Sequence, residues 1–120
     1  MEPLTPQEET VMLLVWELEK CAIKDVVDKM DDPKPPYTTV ASIFNNLERK
    51  NYLSMRKYGN VKVYSPKITE AAYKRHFLSD LVKSYFDDSY KELVSFFAKE
   101  QKITTEELTE IIELIEKNRK

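Results

Sequence analysis

Apolar positions recur through this chain with the period of an α-helix, and one stretch of period two interrupts them. Val11, Met12, Leu14, Val15, Trp16 and Leu18 form a dense apolar run behind Thr5-Pro6-Gln7-Glu8. Thr5 predicts an N-cap, Pro6 fits the first turn, where a missing N–H does no harm, and Glu8 can close a capping box. A helix so dense in apolar residues is mostly core, with Trp16 as a packing anchor. Ile23, Val26, Val27 and Met30 fall at i, i+3, i+4 and i+7 and predict a second helix. Its start is weak, because Ala22 has no side-chain oxygen to offer. In Asp31-Asp32-Pro33-Lys34-Pro35-Pro36, three prolines within four positions end that helix and hold the chain extended.

The third helix is read over Tyr37 to Lys50. Val40, Ile43, Phe44 and Leu47 make its apolar stripe, and at about 100° per residue Thr38, Ser42, Asn45 and Arg49 lie opposite, with Asn46 beside them and Thr39 on the flank. That polar face has no acid and is rich in hydroxyls and amides, which are mediocre helix formers. A solvated face is more often rich in Glu and Lys, which favour helix and pair along it. Base edges and phosphates offer another reason for such a face, since these groups both donate and accept hydrogen bonds.

Period two follows. Asn51 can take the left-handed conformation that ends a helix. Leu53 and Met55 alternate with Ser54 and Arg56, and Val61 and Val63 alternate with Lys62 and Tyr64, around Tyr58-Gly59-Asn60. The pattern predicts a β-hairpin with one buried face, made by Leu53, Met55, Val61 and Val63. Gly59, the only glycine in the chain, falls where a tight turn needs positive φ. From Arg49 to Thr69 there are six basic residues (Arg49, Lys50, Arg56, Lys57, Lys62, Lys67) and no Asp or Glu. A helix with a polar outer face followed by a basic hairpin is the layout of a winged helix-turn-helix, in which the helix enters a DNA groove and the hairpin grips the backbone.

Beyond Pro66 the period is helical throughout. Thr69 predicts a cap for a helix with Tyr73, Phe77, Leu81 and Tyr85 inward, and Leu78, Val82 and Phe86 beside them. Asp87-Asp88-Ser89 breaks it, and Ser89 with Glu92 predicts a second capping box ahead of Leu93, Val94, Phe96 and Phe97. Thr104 with Glu107 predicts a third box, stapled by Ile103 and Leu108. The last helix carries Leu108, Ile111, Ile112 and Ile115, widened by Leu114, and ends in Lys117, Arg119 and Lys120, which suit the negative end of its dipole. Residues 67–120 are too apolar to satisfy themselves, so their stripes need a partner. A second copy of the segment is the simplest one, and packing onto the N-terminal half is the alternative. The expected fold is therefore mainly α: a winged helix-turn-helix of three helices and a hairpin wing over 1–66, then a three-helix dimerisation segment over 67–120.

Composition narrows the chemistry. At 120 residues, 33% charged and 42% apolar, the chain is a folded, soluble type. Its net charge of −2 means that DNA binding must rely on local segregation of charge. One cysteine, Cys21, excludes an internal disulfide, fits a reducing cytoplasm and is expected to be a buried apolar side chain. No apolar run approaches the roughly 20 residues of a membrane span, and no signal-peptide pattern opens the chain, so a cytoplasmic protein is expected. A single glycine excludes the P-loop and the dinucleotide-binding turn, and His76, the only histidine, has no Cys or His at metal spacing. No catalytic residue, metal or cofactor is expected. The acidic pairs Asp31-Asp32, Asp87-Asp88 and Glu106-Glu107 all sit at helix ends, where the dipole accounts for them.

The order of motifs resembles the penicillinase-repressor family of bacterial transcriptional regulators (the BlaI/MecI/CopY group). The matching points are Leu4-Thr5 before the helix with Trp16, Val26-Val27 in the second helix, Tyr37-Thr38-Thr39-Val40 opening the third, and Val63-Tyr64-Ser65-Pro66 closing the wing, with Leu93-Val94 and Glu106-Glu107-Leu108 further on. The resemblance implies a homodimeric repressor on a dyad-symmetric double-stranded operator. It maps the reading helix onto Thr38, Thr39, Ser42, Asn45 and Asn46, and the wing onto Arg56, Lys57 and Lys62. It further implies release by a membrane-bound sensor protease cutting in the short C-terminal helix, at a bond that falls near Phe96-Phe97. This chain departs from the family at Ala41 and Asn46, where arginine can occur, and at Phe96, where some members have asparagine. With Cys21 as its only cysteine it lacks the cysteine cluster of the copper-responsive branch. A winged-helix module for protein–protein contact, its basic hairpin incidental, is the alternative of a different class.

Overall fold

The computed structural model describes residues 1–119, and Lys120, expected in the basic helix end, lies outside them. Along the chain run α1 (Pro6–Leu18), α2 (Ile23–Lys29), α3 (Tyr37–Arg49), β1 (Leu53–Tyr58), β2 (Val61–Pro66), α4 (Glu70–Tyr85), α5 (Tyr90–Lys99) and α6 (Thr105–Lys117). They fall into two compact units, Met1–Lys74 and Arg75–Lys120.

In the first unit, three helices and a hairpin surround one core. Val11, Met12 and Val15 of α1, Val26 of α2, and Val40, Phe44 and Leu47 of α3 are fully buried. Their spacing along each helix is the reason: a stripe at i, i+4 and i+7 leaves water only by facing the other two helices. Cys21 joins this core, and burial, with a contribution from Asp25, pushes its thiol up to about 11. It is a packing residue with no thiolate character at neutral pH.

Capping sets the helix starts. At α1, Glu8 N–H donates to Thr5 Oγ1 at 3.2 Å while Thr5 N–H donates to Glu8 Oε1 at 2.9 Å, so the expected box is complete. At α2, Ala22 cannot cap, but its own N–H donates to Asp25 Oδ2 at 2.8 Å, which fixes half of such a box from the other side. α3 ends on Asn51 at φ 67°, the left-handed residue its amide permits.

The hairpin is antiparallel, with Met55 opposite Tyr64, Arg56 opposite Val63 and Lys57 opposite Lys62. Gly59 takes φ 61° at the first position of the two-residue turn. The inward face of β2 differs from expectation. Tyr64 is buried, whereas Val61 is exposed and Val63 is half-buried. The reason is non-local. Cys21 N–H donates to Tyr64 O at 3.0 Å and Tyr64 N–H to Cys21 O at 2.7 Å, so the α1–α2 link adds a bridge to β2. That bridge carries the Tyr64 ring into the core, 4.8 Å from Phe44 in an edge-on contact.

The first unit extends past the expected boundary at Pro66 and takes in the first turn of α4. Trp16 Nε1–H donates to Ile68 O at 2.8 Å, and Tyr73 OH donates to Glu9 Oε2 at 2.7 Å. The Tyr73 ring lies 5.4 Å from that of Trp16 and 6.1 Å from that of Tyr52. Burial, followed by its bond to Glu9, raises the Tyr73 phenol and keeps that proton in place. Tyr73, expected among the dimerisation residues, is half-buried and packs against the core of the first unit.

Thr69, within the first unit, caps α4 through Ala72 N–H at 3.1 Å, and in the second unit Thr104 closes a full box with Glu107. The box expected at Ser89 forms only by half. Glu92 N–H donates to Ser89 Oγ at 3.2 Å, but Ser89 N–H is taken by Phe86 O at 2.9 Å. Val82 is the only fully buried side chain among the unit's described residues. Phe86 stacks edge-on against Phe96 at 5.8 Å. Phe77, Leu78, Tyr85, Phe96, Phe97, Ile111, Ile112, Leu114 and Ile115 stay exposed within a single chain, Tyr85 at 77%. Leu81, Leu93 and Leu108 are half-buried.

Candidate nucleic-acid interface

α3 presents its polar face because its apolar stripe is consumed by the core. Thr38, Ser42, Asn45 and Arg49 are exposed on the opposite side, with Thr39 exposed on one flank and Asn46 half-buried. None of these six side chains has a hydrogen-bond or ion-pair partner within the described chain. The face thus offers donors and acceptors at no internal cost.

The wing carries its cations on two faces. Strand alternation puts Lys57 and Lys62 on the side of Met55 and Tyr64, directly opposite each other near the turn. Arg56 lies on the other side, where it lines a groove of about 310 Å³ with Lys20, Ser54 and Tyr58. Ser54 and Ser65 hydroxyls meet there at 3.1 Å across the strands. The three wing residues expected to act together are therefore split between two faces.

Lys50 drops out of the free basic set. Its ammonium donates to Glu8 Oε1 at 2.6 Å and to Pro3 O at 3.1 Å, with side-chain exposures of 13% for Lys50 and 5% for Glu8. Burial alone would raise the Glu8 carboxyl, but the bonds from Lys50 and Thr5 outweigh it and hold the group below its usual value. Tyr52 OH donates to Glu2 O beside this pair, so the segment before α1 is tied down from two sides.

One flank of α3, the start of α2 and the wing tip enclose an open groove of about 600 Å³. Asn45 and Lys62 line it, together with Lys24, Tyr37 and Asn60, which periodicity and charge counting do not single out. Nothing in the sequence ties Lys24 or Tyr37 to the wing; only the tertiary placement does. The Tyr64 phenol lies at the groove's edge, raised by burial and then by Glu48 and Tyr37, so it remains a neutral hydroxyl. Among the described residues, no group of three or more His, Cys, Asp or Glu side chains could hold a metal ion, and no helix is long and apolar enough to cross a membrane.

A family model described as "Penicillinase repressor" matches residues 4–117. The penicillinase repressor of Bacillus licheniformis is 24% identical over 124 aligned positions, spanning 98% of this chain and 94% of that protein. Among solved structures, the DNA-binding domain of the repressor BlaI superposes with a TM-score of 0.52 at 25% identity, covering 61% of this chain and 94% of that domain. The fold they share is a winged helix-turn-helix: helices followed by a two-stranded hairpin.

Proposed function

From the premise that this chain belongs to the penicillinase repressor family, we propose that it is a DNA-binding transcriptional repressor working as a homodimer on a dyad-symmetric operator. The observation that carries this reading is the face of α3, where exposed hydroxyls and amides lie without internal partners beside a basic hairpin. Thr38, Thr39, Ser42, Asn45 and Asn46 would read base edges, since hydroxyls and amides both donate and accept. Arg49, Arg56, Lys57 and Lys62 would hold phosphates, which set register and orientation.

Dimerisation is supported by the second unit. Phe77, Tyr85, Phe96, Phe97, Ile111, Ile112 and Ile115 are exposed in one chain, with Leu81, Leu93 and Leu108 half-buried among them. Folded chains rarely leave so many large apolar side chains open to water, and two-fold pairing of like segments would bury them. For release, we propose cleavage at Phe96-Phe97 by a membrane-bound sensor protease in the cytoplasm. Both residues lie on α5 and are exposed only in a single chain, so the bond would be open to the protease in the separated protomer, before two copies close over it.

The test is protection of the DNA flanking this gene. Two protected half-sites related by a dyad, about one helical turn apart, together with a ratio of two protomers per site, are expected. Indifference to duplex DNA at low ionic strength would overturn the reading.

A further inference from the structure

The groove between α2, α3 and the wing tip is open and carries Lys24 and Lys62 on its walls. We propose that it holds a sugar–phosphate backbone, with Lys24 and Tyr37 as phosphate contacts in addition to the residues assigned above. The inference rests on the DNA-binding reading of the same surface and names two residues which that reading lacks.

Three observations converge on it. First, the groove is cationic from both walls, Lys24 standing on α2 and Lys62 on the wing, and no carboxylate lines it. Lys24 and Lys62 make no ion pair among the described residues. The adjacent acid, Asp25, is turned back onto its own helix start, accepting from Ala22 N–H at 2.8 Å. Two uncompensated ammoniums facing one open channel repel each other until an anion enters.

Second, the neutral groups there suit a phosphate. Tyr37, at the first position of α3 and 56% exposed, carries a phenol O–H, and Asn60 carries amide N–H groups. Backbone oxygens of DNA accept from both types. Apolar Ala41 and Val61 lie between them, where a deoxyribose ring can rest.

Third, the placement follows from how a reading helix sits. A helix in a major groove about 12 Å wide is bordered by backbone on each side. Asn45 faces the channel from one flank of α3, and Thr39 and Asn46 lie toward the opposite flank. The backbone bordering the Asn45 flank must therefore pass between helix and wing, through this groove.

The experiment titrates the full chain against a random-sequence duplex over a range of KCl concentrations, read by fluorescence anisotropy. Lys24→Ala should make the slope of log K against log salt shallower by about 0.9 for each protomer bound. Lys29→Ala removes the same charge from a lysine paired to Glu17 at 2.9 Å, outside the groove, and should leave the slope unchanged. Tyr37→Phe should weaken binding about tenfold on any sequence, as for a hydrogen bond to a charged group. The inference is overturned if the parent protein binds duplex while Lys24→Ala keeps its slope and affinity, or if Lys29→Ala lowers the slope equally. If the parent protein itself ignores duplex DNA, the repressor reading fails first, which is a different and separately visible result.

Discussion

Glu8 and Lys50 pair at 2.6 Å, joining the capping box of α1 to the C-cap of the helix that carries the proposed reading face. The pair is nearly shielded from water, so removing one partner leaves a charge stranded. Glu8→Ala or Lys50→Ala should each destabilise the fold by about 3–5 kcal/mol, seen as a lowered urea midpoint. The pH dependence has a definite sign. Because the folded-state pKa of Glu8 lies below its unfolded value, the stabilisation is complete above the ordinary glutamate range and is lost as pH falls through the folded value. The difference in stability between parent and Glu8→Gln should therefore shrink in acid. An unchanged difference down to strongly acidic pH would show that the pair does not contribute in this way.

Lys57 and Lys62 are the other notable pair, held opposite each other across the wing. Like charges directly opposite destabilise a hairpin by about 0.2–1 kcal/mol, and threonine fits a strand better than lysine. Lys57→Thr should thus stabilise the free protein slightly while weakening its grip on every DNA sequence alike. Thermal melts and salt titrations of one variant report both effects. Loss of DNA affinity without any gain in free-state stability would show that the two ammoniums already avoid each other.

These two pairs show what could and could not be read along the chain. The stripes of α1, α2 and α3 were legible because burial on a helix repeats locally, and Val40, Phe44 and Leu47 are as buried as their spacing requires. The turn was legible because Gly59 alone could supply it. The inward face of β2 was not, since Val61-Lys62-Val63-Tyr64 alternates acceptably in either sense and the bridge to Cys21 decides. A count of basic residues could not separate paired Lys50 from unpaired Lys62, because Glu8 lies 42 residues away. Tyr73 followed the periodicity of α4, yet its first turn packs on Trp16 and Tyr52, a division that periodicity does not register.

Asn45 and Asn46 differ in surroundings, and that difference is testable. Asn45 is exposed at the edge of the backbone groove, whereas Asn46 is half-buried on the other flank of the polar face. Each asparagine that pairs with a base edge contributes about 1–3 kcal/mol of discrimination. Asn45→Ala and Asn46→Ala should therefore narrow the gap between operator and random duplex at one or two base pairs. Arg56→Ala should weaken both equally, because a phosphate contact carries no sequence information. If both asparagine variants keep the parent ratio, the bases are read by Thr38, Thr39 and Ser42 instead.

The apolar surface of α6 gives the sharpest test of assembly. Ile112 and Ile115 are 58% and 60% exposed in one chain, so substituting them removes little from the folded protomer. At a two-fold interface the same side chains would each contribute about 1.5–3 kcal/mol on burial, and the two copies double that. Ile112→Asp with Ile115→Asp also places carboxylates in the contact, which disfavours it further. The double variant should keep its helical circular dichroism while its dimer dissociation constant rises by about two orders of magnitude or more. Operator binding should then become steeply dependent on protein concentration, because the second half-site no longer benefits from the first. Sedimentation equilibrium of the parent and the variant decides the matter: a parent that is monomeric at concentrations where it occupies DNA, or a variant that still dimerises like the parent, would remove α6 from the interface.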